Sequence, residues 1–317
     1  MQVGWWVWAL FAFLVTAMLA VDLLVLRGSR GEGREPTFRS SALWSAAWIS
    51  LGLLFSFVVL RLYGPHAQLT YLTAYLLEKS LSVDNIFVFV LIFSQLRIPP
   101  REQRRVLYWG VLGALVMRGA LIAGGMYLLD RFHWVLYVFA ALIILAAVRM
   151  VFGQETERKA VVAACAVCDT WVGRILPVTP VLHGSRFWVR QGGRLVATPL
   201  LIALIVVETT DLVFAMDSIP AAFAVTREPF LVYTSNVFAM LGLRSLYFLL
   251  AGAVERFRYL RFGLAGILAF VGVKMLLGGV IDIPIWVSLA VVAGALAVAV
   301  MVSVILAPRP AARAYSR

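Results

Sequence analysis

Cysteine, histidine and acidic residues are all scarce in this chain. Its 317 residues hold two cysteines, Cys165 and Cys168, in one Cys-Ala-Val-Cys run. That excludes a disulfide-stapled secreted scaffold. One such pair without a second is a weak zinc signal, so the two read as ordinary loop cysteines. The three histidines, His66, His133 and His183, are scattered, with no two at ligand spacing, and read as surface or interface residues. Charged residues make up 14% of the chain. The Gly-x-Gly-Asp signature of an intramembrane aspartyl protease is absent, and the chain reads as a non-enzyme.

Apolar residues are what the chain has in abundance. It is 62% hydrophobic with a mean hydropathy of +0.93. Soluble domains do not have this composition. The fold class is all-α, a polytopic membrane helical bundle whose principal partner is the lipid bilayer. The net charge of +12 raises a nucleic-acid reading. The charge lies in short loops, however, with no basic stripe interleaved with aromatics, and no nucleic acid is expected as a partner.

Nine spans are expected, at about 3–26, 41–60, 70–94, 107–129, 134–152, 199–222, 231–254, 262–281 and 285–307. The first lacks the basic leader of a signal peptide and carries Trp5, Trp6 and Trp8 as an interfacial belt. Alternate loops carry 21 basic residues against three. The positive-inside rule then places the N-terminus outside and the C-terminus in the cytoplasm, as in a bacterial-type inner (plasma) membrane. Residues 1–308 form a single transmembrane domain, and 309–317 a disordered cytoplasmic tail. The cytoplasmic loop 153–198 holds a surface helix over about 156–175 and a short hairpin over 187–196 around Gly192-Gly193.

Three spans carry acids, and in the first the lone Asp22, near its far end, is either an accessory polar group or interfacial. Of the other two, one holds Glu78-Lys79-Ser80-Leu81-Ser82-Val83-Asp84-Asn85-Ile86, and the second runs from Glu208 through Thr209, Thr210 and Asp211 to Asp217-Ser218-Ile219. An ionisable group at mid-membrane costs at least ~2.5–3.5 kcal/mol on insertion scales, so such residues mark a site. Acid, five residues, Asp, small polar residue, Ile occurs twice. The following spans hold Arg118 and Arg244, and the next ones Arg149-Met150 and Lys274-Met275. The order recurs over repeat A (about 70–152) and repeat B (about 199–281), three spans apart. An odd number of spans inverts one copy against the other, the build of many secondary transporters, with the site at the repeat interface.

Inversion predicts Glu78 and Asp217 at one depth and Asp84 and Asp211 at another. Six residues turn through about 240°, so the two acids of a copy share a face only if the helix breaks. Asn85 and Pro220 are the expected places for breaks. Glu208 and Asp211 share a face.

The polar set within the spans is Glu78, Asp84, Asn85, Glu208, Thr209, Thr210, Asp211, Asp217 and Ser218, with the bases Lys79, Arg118 and Arg244 beside it. It is almost all oxygen, which suits magnesium, calcium or manganese over zinc or copper. Met216 beside it reads as packing. Arg118 and Arg244 have two readings, ion pairs that hold the bundle or neutralisers of an empty site. The carboxylates could also carry protons.

At these residues the chain resembles the TerC family of integral membrane proteins, named for tellurite resistance and including manganese exporters. The similarity lies in Glu78 to Phe89, in Glu208 to Ala221, and in the loop segments Leu176-Pro177-Val178-Thr179-Pro180, His183-Gly184 and Ala197-Thr198-Pro199-Leu200. The resemblance implies manganese efflux and kinship with the lysine-exporter superfamily of inverted three-helix repeats. It implies ion handling by Glu78, Asp84, Asn85, Asp211, Asp217 and Ser218. The chain departs from the family in its long loop, where Ala160 to Cys168 is small and apolar rather than acidic.

The expected function is a secondary transporter that exports a divalent cation, manganese foremost, by proton antiport. Manganese is the transported substrate, and no organic cofactor is expected. The rival is a membrane partner that delivers metal to secreted or membrane proteins, with loop 153–198 as its contact surface. An indirect role in tellurium stress is a further alternative, although acidic buried charge repels oxyanions. A homo-oligomer is compatible with the sequence.

Overall fold

The computed structural model describes residues 4–28, 38–152, 159, 161–166, 168, 170, 174, 177–179, 181–191, 193–251, 259–278 and 283–306. The fold is helical. In chain order come α1 (Trp5–Gly28), α2 (Phe38–Gln95), α3 (Pro100–Arg131) and α4 (Val135–Phe152). A hairpin of β1 (Trp188–Gln191) and β2 (Arg194–Ala197) follows, then α5 (Pro199–Val225), α6 (Pro229–Leu241), α7 (Leu243–Leu250), α8 (Leu260–Leu277) and α9 (Ile285–Ile305). Among the described residues, α2, α3, α4, α5, α8 and α9 are long and apolar enough to cross a membrane.

Helix α2 is two helices joined at Gly64. That residue has φ 84° and ψ 178°, a conformation open to glycine, and Pro65 follows it. A straight helix of 58 residues would reach ~87 Å, about three times the hydrocarbon core. The chain doubles back instead. The Tyr71 hydroxyl donates to the Gly52 carbonyl, Tyr75 to Ile49, and the Gln68 amide to the Ser56 hydroxyl. Each step forward on one half matches a step backward on the other, so the halves are antiparallel. They correspond to the expected spans at 41–60 and 70–94.

Three helices open with proline at their first turn, where its missing N–H is no loss: α3 at Pro100, α5 at Pro199 and α6 at Pro229. The hairpin pairs Gln191 with Arg194 across the predicted glycine turn, with Gly193 at φ 80°. In the loop before it, residues 161–166 are helical, and Val161 and Cys165 are buried. The rest of the expected surface helix, apart from single described positions, and the tail after Pro308 lie outside the described residues.

The expected breaks at Asn85 and Pro220 do not occur. Helix α2 runs through Asn85 and α5 runs through Pro220 to Val225. Both residues are buried, and packed neighbours hold a membrane helix across the one hydrogen bond a proline removes. The interruption falls at Gly242, between α6 and α7. There the Lys79 ammonium donates to the Ala239 carbonyl at 3.0 Å, at the negative end of the α6 dipole.

Helices α3 and α5 lie side by side and parallel. Gly110 faces Val207, Gly113 faces Glu208 and Gly125 faces Phe223, so positions advance together. Glycines at the contact let the backbones approach closely. The second half of α2 and α6 are likewise parallel, with His66 and Thr70 beside Glu228 and Leu231 and, further along both, Lys79 opposite Ala239. The candidate site lies where these four helices meet.

Candidate functional site

Arg118, on α3, is the centre of the site. It is 1% exposed, and so is Glu78; Asp211 and Ser218 are 2% exposed. Its Nε donates to Asp211 Oδ2 at 3.0 Å and its Nη2 to Asp211 Oδ1 at 3.1 Å. Nη1 donates to Glu78 Oε2 at 3.1 Å and to Ser218 Oγ at 3.2 Å. The Asp211 contact is the bidentate fork that a guanidinium forms with a carboxylate. One cation thus holds acids from two helices and a hydroxyl from one of them.

Local geometry explains which candidates converge. Asp211 and Ser218 are seven residues apart on α5, about 20° short of two full turns, so they share a face. Asp217 is turned away from that face by about 100°. It is half-buried, and the nearest opposite charge acting on it is Arg149 near the end of α4. Asp84 is half-buried on α2, about 240° round from Glu78, and Asn85 is buried beside it. The structure therefore brings together Glu78, Asp211, Ser218 and Arg118, and sets Asp84, Asn85 and Asp217 off that guanidinium; Glu78 and Asp211, expected at different depths, are held at one depth because a single guanidinium spans both. Among the described residues, no three His, Cys, Asp or Glu side chains converge closely enough to hold a metal ion. Arg118 is paired with both acids, as each of its two readings requires of a site with no ion bound.

The accessory residues lie around this centre. Glu208 is half-buried with its carboxylate against Gly113 of α3. The Thr210 hydroxyl turns back onto its own helix, donating toward the carbonyls of Val206 at 2.6 Å and Val207 at 3.0 Å. Arg244 is half-buried on the first turn of α7, beyond the Gly242 interruption. Lys79 reaches that interruption from α2. Met216, read as packing, is instead 54% exposed on the outer face of α5, turned off the face that carries Asp211 and Ser218.

Sequence reasoning passed over Asn236, on α6. It is 1% exposed and is the next polar neighbour of Glu78. Its amide nitrogen turns to the carboxylate but forms no direct hydrogen bond, so Asn236 Nδ2 and Glu78 Oε1 are both buried without a partner. The signal was present in composition: the chain has two asparagines, Asn85 and Asn236, and both fall within spans.

One cavity reaches the centre, and a larger one lies at the helix ends. A narrow crevice of about 10 Å³, room for roughly one water, reaches Asp211 between Phe89, Leu107, Val111, Val207, Met240 and Leu243. A larger one of about 350 Å³ lies by the N-terminal ends of α6 and α9, among His66, Thr70, Thr226, Glu228 and Lys274. There Lys274 Nζ donates to Ser288 Oγ at 2.8 Å.

A bundle of long apolar helices around a fully buried, charge-paired centre defines a polytopic integral membrane protein. Residues 63–311 match the family described as "Integral membrane protein TerC family", and the chain belongs to that family. It is 47% identical over 298 residues to "Uncharacterized membrane protein STKORF319" of Myxococcus xanthus, covering 94% of this chain and 92% of that one. It is 46% identical over 297 residues to "Putative membrane-bound redox modulator Alx" of Escherichia coli (strain K12), covering 91% of each. It is 38% identical over 298 residues to a membrane protein of Rickettsia bellii, covering 94% and 97%. No solved structure matches the chain.

Proposed function

We propose that this protein is a secondary transporter that exports a divalent metal cation, manganese foremost, from the cytoplasm against protons. The observation that carries this reading is the pairing of Glu78 with Asp211 through Arg118. These are the first acids of the two copies of the doubled motif. They meet at the centre of the bundle, where a buried ionised group is costly and persists for function.

The topology of this reading is nine spans with an outside N-terminus and an inverted repeat. Its support is the packing of counterparts. The second half of α2 packs on α5, α3 packs on α6 and α7, and α4 packs on α8. Copies related by a pseudo-twofold axis meet in this way, with the carrier site on the axis.

The chemistry follows from competition. Arg118 neutralises carboxylates that would otherwise repel each other across the site. A divalent cation that arrives takes the same oxygens, and Arg118 releases them. Protons take them in the opposite conformation and drive the cation off. Cation and protons never share the carboxylates, which makes the exchange an antiport. Glu78, Asp211 and Ser218 form the core of the ion path, and Asp84, Asn85 and Asp217 are stations on either side. Hard oxygen donors of this kind fit manganese or magnesium.

The name of the Escherichia coli relative suggests a redox role. Cys165 and Cys168 are this chain's whole cysteine complement. Burial pushes both thiols up, and for Cys165 the neighbouring Cys168 adds to the shift. Thiols held protonated are poor redox couples at neutral pH, so the acid site supports the ion-transport reading better. In cells challenged with manganese, Glu78→Gln and Asp211→Asn abolish the tolerance that the wild-type protein confers. Unchanged tolerance at equal expression contradicts the proposal.

A further inference from the structure

The Glu78 carboxylate is only half used. Oε2 is held by Arg118, while Oε1 is buried with no partner. Facing it from α6 is Asn236, whose buried Nδ2 lies near enough to act on the carboxylate yet falls short of hydrogen-bond geometry. A buried donor and a buried acceptor left unpaired cost about 1–3 kcal/mol each. Such a pair persists where something else uses it in another state. The neighbours differ in this respect. Thr234 donates its hydroxyl to the Phe230 carbonyl at 2.6 Å, and Ser235 to Val232 at 3.0 Å, so both are satisfied within their own helix.

An asparagine amide is two-sided. A half-turn about its last torsion exchanges a nitrogen donor for an oxygen acceptor in the same place. With nitrogen toward Glu78, the amide suits a carboxylate with nothing bound. With oxygen toward Glu78, it makes a pair of hard oxygens from two helices, the kind of donor a divalent cation takes. The amide brings this second oxygen without a second charge, so it adds no repulsion to the Glu78–Asp211 pair.

We propose that Asn236 is an ion ligand of this protein: its side-chain oxygen and Glu78 Oε1 form a half-site for the exported divalent cation, and the amide reverses as Arg118 withdraws. The inference rests on the export reading and deepens it by naming a ligand from α6. It also gives α6 a direct hold on the cargo, six residues before the interruption at Gly242.

Manganese binding to purified protein tests it, by titration with Mn²⁺ alone. Asn236→Leu, which removes the oxygen at similar volume, weakens binding about ten- to hundredfold. Asn236→Asp keeps an oxygen there and binds at least as tightly as wild type. Thr234→Val, a buried polar loss one turn-half away, binds as wild type. Asn236→Leu that binds like wild type overturns the inference while leaving the export reading standing. If Asn236→Leu does not fold, Asn236→Asp decides, and binding more than about tenfold weaker overturns the ligand role. Wild-type protein that binds no manganese overturns the export reading itself, and this inference with it.

Discussion

Arg118 grips Asp211 with two parallel hydrogen bonds, at 3.0 and 3.1 Å, and spends its remaining nitrogen on Glu78 and Ser218. A planar fork is what this arrangement needs, and lysine has none. Arg118→Lys keeps the charge and loses the fork, so manganese tolerance falls sharply while the protein still accumulates. Arg118→Ala leaves two acids buried without a counter-charge and costs roughly 3–5 kcal/mol of stability. Thermal melts of detergent-purified protein order the three as wild type, Lys, Ala. An Ala variant as stable as wild type contradicts the buried pairing.

Gly113 offers a way to move a carboxylate without touching it. A methyl group there would overlap the end of the Glu208 side chain, which is flexible and can swing away. Gly113→Ala should leave the melting temperature nearly unchanged and reproduce the transport phenotype of Glu208→Gln. A Gly113→Ala variant with normal flux, beside a Glu208→Gln variant without it, would show that the carboxylate's position is immaterial.

The interruption at Gly242 has less freedom. A Cβ there would lie 2.9 Å from both the Trp48 Cβ and the Lys79 Nζ. The Trp48 contact is close to backbone and cannot swing aside. Gly242→Ala is expected to destabilise by about 1–3 kcal/mol through overpacking. Lys79→Met removes the ammonium from the Ala239 carbonyl and frays the end of α6. Faster hydrogen exchange at residues 239–242 is the expected sign, and unchanged exchange would contradict the capping role.

The cysteine pair provides a separate check. With both thiols raised by burial, the thiolate fraction at pH 7 is smaller than for a free cysteine, and labelling speeds up only as pH rises through the displaced range. Maleimide labelling should be slow at neutral pH. The double variant Cys165→Ser, Cys168→Ser should transport manganese as wild type does. Loss of transport in that variant would favour a redox reading.

Much of this architecture was legible because lipid penalises what does not belong. Apolar runs located the helices, and the acids within them pointed to Glu78 and Asp211, which the fold brings to one guanidinium. The i, i+7 relation that puts Ser218 beneath Asp211 follows from helix geometry. Other features were hidden for physical reasons. Proline suggested a break at Pro220, yet packing carried α5 through it, and the interruption fell at Gly242, two residues before the repeat's Arg244, where the sequence shows no proline. Asn236 escaped notice because a neutral amide is a weaker anomaly than an acid. The carboxylate it faces, Glu78, is supplied by another helix, and one sequence does not reveal that neighbour.

The most direct test of the central claim is manganese flux in proteoliposomes, followed with an internal manganese-sensitive dye under an imposed pH gradient. Wild type should move manganese in the sense opposite to the proton gradient, and an ionophore that collapses the gradient should stop it. Asp211→Asn should give no flux beyond empty liposomes. Equal flux in wild type and Asp211→Asn, or wild-type flux indifferent to the gradient, would contradict the account.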